Sequence, residues 1–215
     1  MKVQLNKTHF PVTTLGFGKR VGLWFQGCSI RCPGCISRDT WDKDESRAIE
    51  VEDLLVALAP WLNTADGLTI SGGEPLDQPD GIEELLRLLR PRFQGDILLF
   101  SGHNHEIIFT RFATIASQVD VVISEPYDPS AGSSLELRGS DNQRIFLLTD
   151  LALSRYPTDL DRQGRPPNRK LDVVVEGENV WMVGIPNTGD MARVRCSLAK
   201  RGFNCHTSEQ LPIRS

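Results

Sequence analysis

Three cysteines, Cys28, Cys32 and Cys35, fall within eight residues of this 215-residue chain, while Cys196 and Cys205 lie far off near the C-terminus. A Cys-x3-Cys-x2-Cys loop presents three thiolates together, enough to hold three corners of a cubane iron–sulfur cluster and leave the fourth iron without a protein ligand. An iron left open in this way is a place for chemistry. On spacing alone the alternative is zinc, with His103 or His105 completing a closed tetrahedral site. Structural zinc sites more often pair their cysteines as two separated Cys-x2-Cys knuckles, and the chain has no second knuckle. An odd total of five cysteines also disfavours a complete disulfide framework.

A second candidate is the loop Ser71-Gly72-Gly73-Glu74-Pro75, where adjacent glycines let backbone approach a ligand that any side chain would block. The elements that must position these loops can be read from hydrophobic pattern. Arg20 to Phe25 is a run of strand formers feeding the cysteine loop. Val51 to Ala59 has helical spacing and is expected to end at Pro60, and Gly67 to Ile70 reads as a short buried strand before the glycine loop. A helix over Ile82 to Leu89, a strand over Asp96 to Phe100, the loop Ser101-Gly102-His103, a helix near Glu106 to Ser117 and a strand over Val119 to Ser124 follow. Arg144 to Leu148 suggests one more strand. Strands alternating with helices predict an α/β fold with a parallel sheet, in which ligands bind beyond the carboxyl ends of the strands.

The pattern breaks at the polar, Pro/Gly-rich stretch 161–170, expected to be a linker or exposed loop. Beyond it, Leu171 to Val175 and Asn179 to Val183 read as a hairpin around Gly177, and Met191 to Lys200 as a helix stopped by Gly202. Two parts are therefore expected, residues 1–154 as a core domain and 155–215 as a small C-terminal α+β extension. Charge divides the same way, with 14 basic and 21 acidic side chains in the first part and 10 and 7 in the second. Cys196 is expected on the buried face of its helix and Cys205 as a free thiol. The net charge of −4 argues against sequence-independent nucleic-acid binding. With no membrane-length apolar run and no secretory signal at the start, a cytoplasmic location is expected.

Taken with the glycine loop one βα unit downstream, the cysteine spacing resembles the two marks of the radical S-adenosylmethionine superfamily. The segments Gly22 to Cys35, Asp39-Thr40-Trp41, Leu68 to Leu76, Leu99 to Gly102, Asp120 to Tyr127 and Leu137 to Gln143 resemble, in order, the glycyl-radical activases that serve anaerobic ribonucleotide reductase. Small activases carry a His-Asn or Tyr-Asn pair where this chain has Ile36-Ser37. Residues beyond about 150 lie outside the resemblance.

The resemblance implies a partial (β/α) barrel and one [4Fe-4S] cluster held by Cys28, Cys32 and Cys35, with S-adenosylmethionine chelating the fourth iron through its amino and carboxylate groups. It implies cofactor contacts from the main chain of Gly34 and Ile36 and from Gly72 and Gly73, with Glu74 and Pro75 shaping their loop. Ser101 and Gly102 would meet the methionyl or ribose part. The reaction implied is reductive cleavage of S-adenosylmethionine to a 5′-deoxyadenosyl radical. Its hydrogen donor would be a glycine of a partner protein or, in the alternative, a small molecule as in 7-carboxy-7-deazaguanine synthase. A low-potential donor such as flavodoxin or ferredoxin would supply the electron. A zinc-stabilised binding module without catalysis is the reading from another class. If residues 162–215 dock across the barrel mouth, a small substrate is favoured; held to one side, they leave room for a protein.

Overall fold

A computed structural model of the protein describes residues 1–160, 169–176, 179–187, 189–203 and 207–212. The expected linker lies mostly outside the described residues, as do Gly177, Cys205 and His206.

Strands β1 (Lys2–Val12), β2 (Arg20–Phe25), β3 (Ala48–Glu50), β4 (Gly67–Gly72), β5 (Asp96–Phe100), β6 (Val121–Ser124) and β7 (Arg144–Leu147) form one sheet in the order β3-β1-β2-β4-β5-β6-β7. Its middle is the expected parallel run β2-β4-β5-β6, and β1, β3 and β7 add to it antiparallel. The two ends do not pair with each other, so the sheet stays open in keeping with a partial barrel. Helices α1 (Val51–Leu62), α2 (Pro79–Leu89), α3 (His105–Arg111), α4 (Ala113–Ala116) and α5 (Asp150–Arg155) connect or follow the strands.

The four parallel strands were legible because apolar runs buried on both faces have no polar alternation to mislead. Helix α2 buries Ile82, Leu85, Leu86 and Leu89, the spacing of one helical face against the sheet. Three boundaries differ from expectation. Helix α1 continues past Pro60 to Leu62, two residues beyond the expected stop: Pro60 forgoes its own N–H bond, and the helix closes within a turn of it. The helix expected near Glu106 to Ser117 breaks at Phe112 into α3 and α4. Strand β1 was not anticipated, since only Val3, Leu5 and Val12 along it are buried and the alternation fades between them.

At the amino end of the parallel strands sits a closed polar network. Arg20 and Asp96 are both fully buried and paired at 2.8 Å. Arg20 also donates to Thr69 Oγ1 at 2.7 Å and to the carbonyls of Phe17 and Leu68. Asp96 accepts further from Arg155 at 2.9 Å and from the Tyr156 hydroxyl at 2.9 Å. Burial works against the Asp96 charge, but these donors hold its carboxyl below the ordinary value. Beside it, buried Asp120 accepts from Arg90, the Ile97 amide and Thr149.

The C-terminal extension contains the expected hairpin, β8 (Leu171–Glu176) with β9 (Asn179–Gly184), and helix α6 (Asp190–Ala199). Before it, Tyr156 and Leu160 pack with Leu98, Val121 and Ile123 of the sheet. Cys196 is exposed on α6, which corrects its expected burial: this short helix buries no residue fully, and its half-covered side carries Val194, Arg195 and Leu198 instead.

Candidate functional site

The loops at the carboxyl ends of β2, β4, β5 and β6 meet at one mouth, and hydrogen bonds fasten the cysteine loop there at both ends. The Gly27 amide donates to the Thr40 carbonyl at 2.7 Å and the Cys28 amide to the Trp41 carbonyl at 2.9 Å. From the glycine loop, the Gly73 amide donates to Phe25 and the Glu74 amide to Gly27, both at 2.9 Å. Asp77 takes the Ser29 amide at 2.6 Å and the Ser29 hydroxyl at 2.7 Å, a clamp that the sequence analysis did not find.

These contacts give the two glycines a structural reason to be glycine beside the ligand approach expected of them. A Cβ on Gly72 would lie 2.3 Å from the Phe25 nitrogen, and one on Gly73 would lie 2.1 Å from the Gly27 oxygen. What requires glycine here is the close approach of the cysteine loop itself. Glu74 points inward, almost fully buried, where its carboxylate accepts from Ser101 Oγ at 2.9 Å, the Gly102 amide at 2.7 Å and the Leu76 amide at 2.9 Å. Burial pushes the Glu74 carboxyl up to about 7 against those three donors. Glu74 thus joins the loop after β4 to the loop after β5.

Beside Cys35 opens a cavity of about 460 Å³. Its floor includes Gly34, Ile36, Ser71, Phe100 and Tyr127, and its far wall comes from the extension through Met182, Ile185, Met191 and Arg195. Of the expected cofactor contacts, Gly34 and Ile36 line this space, as do Ser71 and Phe100, the chain neighbours of Gly72 and Ser101; Gly72, Gly73, Glu74, Pro75, Ser101 and Gly102 are not among its lining residues. Neither His103 nor His105 lines it. The His105 ring lies 2.8 Å from Glu125 and 2.9 Å from Arg144. Among the described residues, the group whose potential ligand atoms all lie within 4.8 Å of one another is His105, Glu106 and Glu125, and the three thiols do not form such a group. A single zinc ion, with Zn–S bonds of about 2.3 Å, needs its sulfurs closer together than that.

The loop fits a cluster in other respects. Burial pushes the Cys28 thiol up to about 11 and raises Cys32 and Cys35 as well, so thiolates form there only with a strong positive partner. Backbone amides already point at the sulfurs: Arg31 at Cys28 and Ser37 at Cys35, each at 3.4 Å, and the Tyr127 amide at Cys32. The Tyr127 contribution comes from its main chain, and a backbone donor leaves no trace in residue type.

The extension lies across the mouth. Asp172 of β8 accepts from the Thr13 amide and hydroxyl, both at 2.7 Å, and from Thr14 at 3.1 Å. Trp181 of β9 packs edge-on to Trp24 and His9, with the Lys7 ammonium 4.1 Å from its ring centre. On the other side, Ser208 donates to the Ile36 carbonyl and Arg38 donates to the Leu211 carbonyl at 3.1 Å. No described helix is long and apolar enough to cross a membrane.

Comparison with known proteins agrees with this geometry. The family described as a 4Fe-4S single cluster domain matches residues 14–146. The anaerobic ribonucleoside-triphosphate reductase-activating protein of Enterobacteria phage T4 is 35% identical over 141 residues, covering 63% of this chain and 88% of its own. The pyruvate formate-lyase-activating enzyme of Staphylococcus epidermidis is 35% identical over 154 residues, covering 68% of this chain but 61% of its own length. Among solved structures, QueE from Escherichia coli aligns over 49% of this chain and 55% of its own, with a TM-score of 0.43 and 23% identity. The matched region holds the cysteine loop and the glycine loop and stops before the extension. The chain belongs to the 4Fe-4S single cluster domain family and is a radical S-adenosylmethionine enzyme that works with a [4Fe-4S] cluster and S-adenosylmethionine.

Proposed function

We propose that Cys28, Cys32 and Cys35 hold the cluster and that S-adenosylmethionine occupies the cavity beside Cys35, against Gly34, Ile36 and Ser71. The bound pair supplies reductive cleavage of the sulfonium to a 5′-deoxyadenosyl radical. The chain contributes placement: amides aimed at the three sulfurs, a glycine loop packed backbone to backbone on the cysteine loop, and an apolar wall of Leu15, Trp24 and Phe100 that excludes water. The hydrogen donor is a glycine in a partner protein, a reading supported by the names of the phage T4 and Staphylococcus relatives. Flavodoxin or ferredoxin provides the electron. In this reading residues 1–154 are the catalytic core and 155–215 an appended roof.

The observation that carries the ligand assignment is three half-buried thiols on one clamped loop, each met by a backbone amide. In anaerobically reconstituted protein, Cys32→Ala is expected to lose the cluster absorbance and to drop 5′-deoxyadenosine formation to background. Full iron and undiminished turnover in that variant would overturn it.

A second reading, a small-molecule substrate, is supported by the extension, which leaves a cavity of about 460 Å³, within the range of small-ligand sites. Lysate from cells grown on glycine deuterated at Cα separates the two. Deuterium reaching 5′-deoxyadenosine from the protein fraction supports the activase reading, and transfer only from the small-molecule filtrate supports the other.

A further inference from the structure

The spacer Ser29-Ile30-Arg31 separates the first two cysteines, and each of its residues is held by a different part of the mouth. Arg31 stays within its own loop, pairing with Asp42 at 3.0 Å. Ile30 lies over the loop after β5, where a Cβ on Gly102 would come within 3.0 Å of it. Ser29 is held from the loop after β4: one oxygen of the Asp77 carboxylate accepts its amide at 2.6 Å and the other its hydroxyl at 2.7 Å. Short bonds from two donors of one residue to an ionised acceptor fix orientation as well as position. The Ser29 amide belongs to the peptide unit that follows Cys28, and the Cys28 amide, in the unit before it, donates to the Trp41 carbonyl at 2.9 Å. Both peptide units flanking Cys28 are therefore held, and with them the direction of its Cα–Cβ bond.

Asp77 is itself anchored. It closes the turn Pro75–Asp77 directly after the glycine loop, and its amide donates to the Glu74 carbonyl at 3.1 Å. The next side chain, Gln78, donates to the Gln26 carbonyl at 2.9 Å, and Glu74 reaches Ser101 and Gly102. We propose that Asp77 is a positioning residue: by fixing the peptide after Cys28 it aims that thiolate, and it ties the Cys28 side of the cluster seat to the loop whose Ser71 lines the cofactor cavity. The inference rests on the reading that Cys28 is a cluster ligand.

The test uses reconstituted holoenzyme with Asp77→Ala, Asp77→Asn and Ser29→Ala. Asp77→Ala is expected to load its iron, since all three thiols remain, and to release it to a chelator about fivefold faster, the effect of one net hydrogen bond. The change that added S-adenosylmethionine makes in the electron paramagnetic resonance spectrum of the reduced cluster should weaken in the same variant. Asp77→Asn keeps one acceptor oxygen and should recover part of both readouts. Ser29→Ala spares the amide contact, so it should shift both less and add nothing in the Asp77→Ala background. A merely structural Asp77 would lower the unfolding midpoint and leave chelator release and the spectral change at their wild-type values. That result, or additive effects of the two alanine variants, overturns the inference alone. Should Asp77→Ala fail to fold, Asp77→Asn and Ser29→Ala decide it by the same two readouts, wild-type values in both overturning it. Full iron content in Cys28→Ala would sink the ligand reading and this inference with it.

Discussion

The two ends of the parallel strands are built on opposite principles. At the amino end, Arg20, Asp96, Asp120, Arg155 and Tyr156 form a network in which each side chain has a polar partner and the buried charges are matched. At the carboxyl end and in the extension over it lie the buried side-chain atoms without partners, on Arg38, Trp41, Arg169, Trp181 and Glu209 among the described residues. The mouth also holds three raised thiols, a carboxyl raised to about 7, and Arg31 and Glu125 at φ of 49° and 79°, values side chains rarely adopt. Polar groups are fully paired at the end that does no chemistry. Polar groups left unsatisfied and strained backbone gather where ligands are to bind.

The largest effect that tests this contrast belongs to the amino end. Arg20→Met removes one partner of a fully buried pair and leaves the buried Asp96 charge to Arg155 and Tyr156 alone, with an expected loss of about 3 kcal/mol in urea denaturation. A loss under about 1 kcal/mol would show that the network is incidental to stability.

Glu74→Gln probes the mouth. Because the folded-state carboxyl lies near 7 and the ordinary value is 4.5, the folded protein binds that proton more tightly than the unfolded chain. Stability is therefore highest below about 4.5, falls as pH rises to about 7, and levels off above it, by at most about 3 kcal/mol. The glutamine variant should flatten that decline in apo-protein denaturation measured across this window. An unchanged slope would mean that Glu74 is ordinary in its ionisation and the mouth less strained than its neighbour contacts indicate.

The smallest effect concerns the roof. Asp172→Ala deletes the contacts to Thr13 and Thr14, worth about 1–2 kcal/mol between them. Faster hydrogen exchange is expected in β9, with β2 and β4 unchanged. Acceleration in β2 as well would make roof and core a single cooperative unit.

What could be read from the sequence was whatever is contiguous: the three thiols, the glycine loop, and strands whose burial on both faces leaves unbroken apolar runs. What could not be read depends on partners far apart in the chain. The Arg20–Asp96 pair joins residues 76 positions apart and the Asp172–Thr13 contact 159, and neither residue type announces its mate. The glycine pair shows a subtler limit. Two small residues declare that something comes close, and only the fold shows that the Gly27 and Phe25 backbone is part of it.

The clamps on the cysteine loop also spread its hold along the chain. The amides of Gly27 and Cys28 reach across to Thr40 and Thr40's neighbour Trp41, closing the loop with ordinary backbone bonds. The placement of the first cysteine is thereby shared with a segment more than ten residues downstream, and a change of backbone conformation at Thr40 or Trp41 would be felt at Cys28 without any contact to its sulfur.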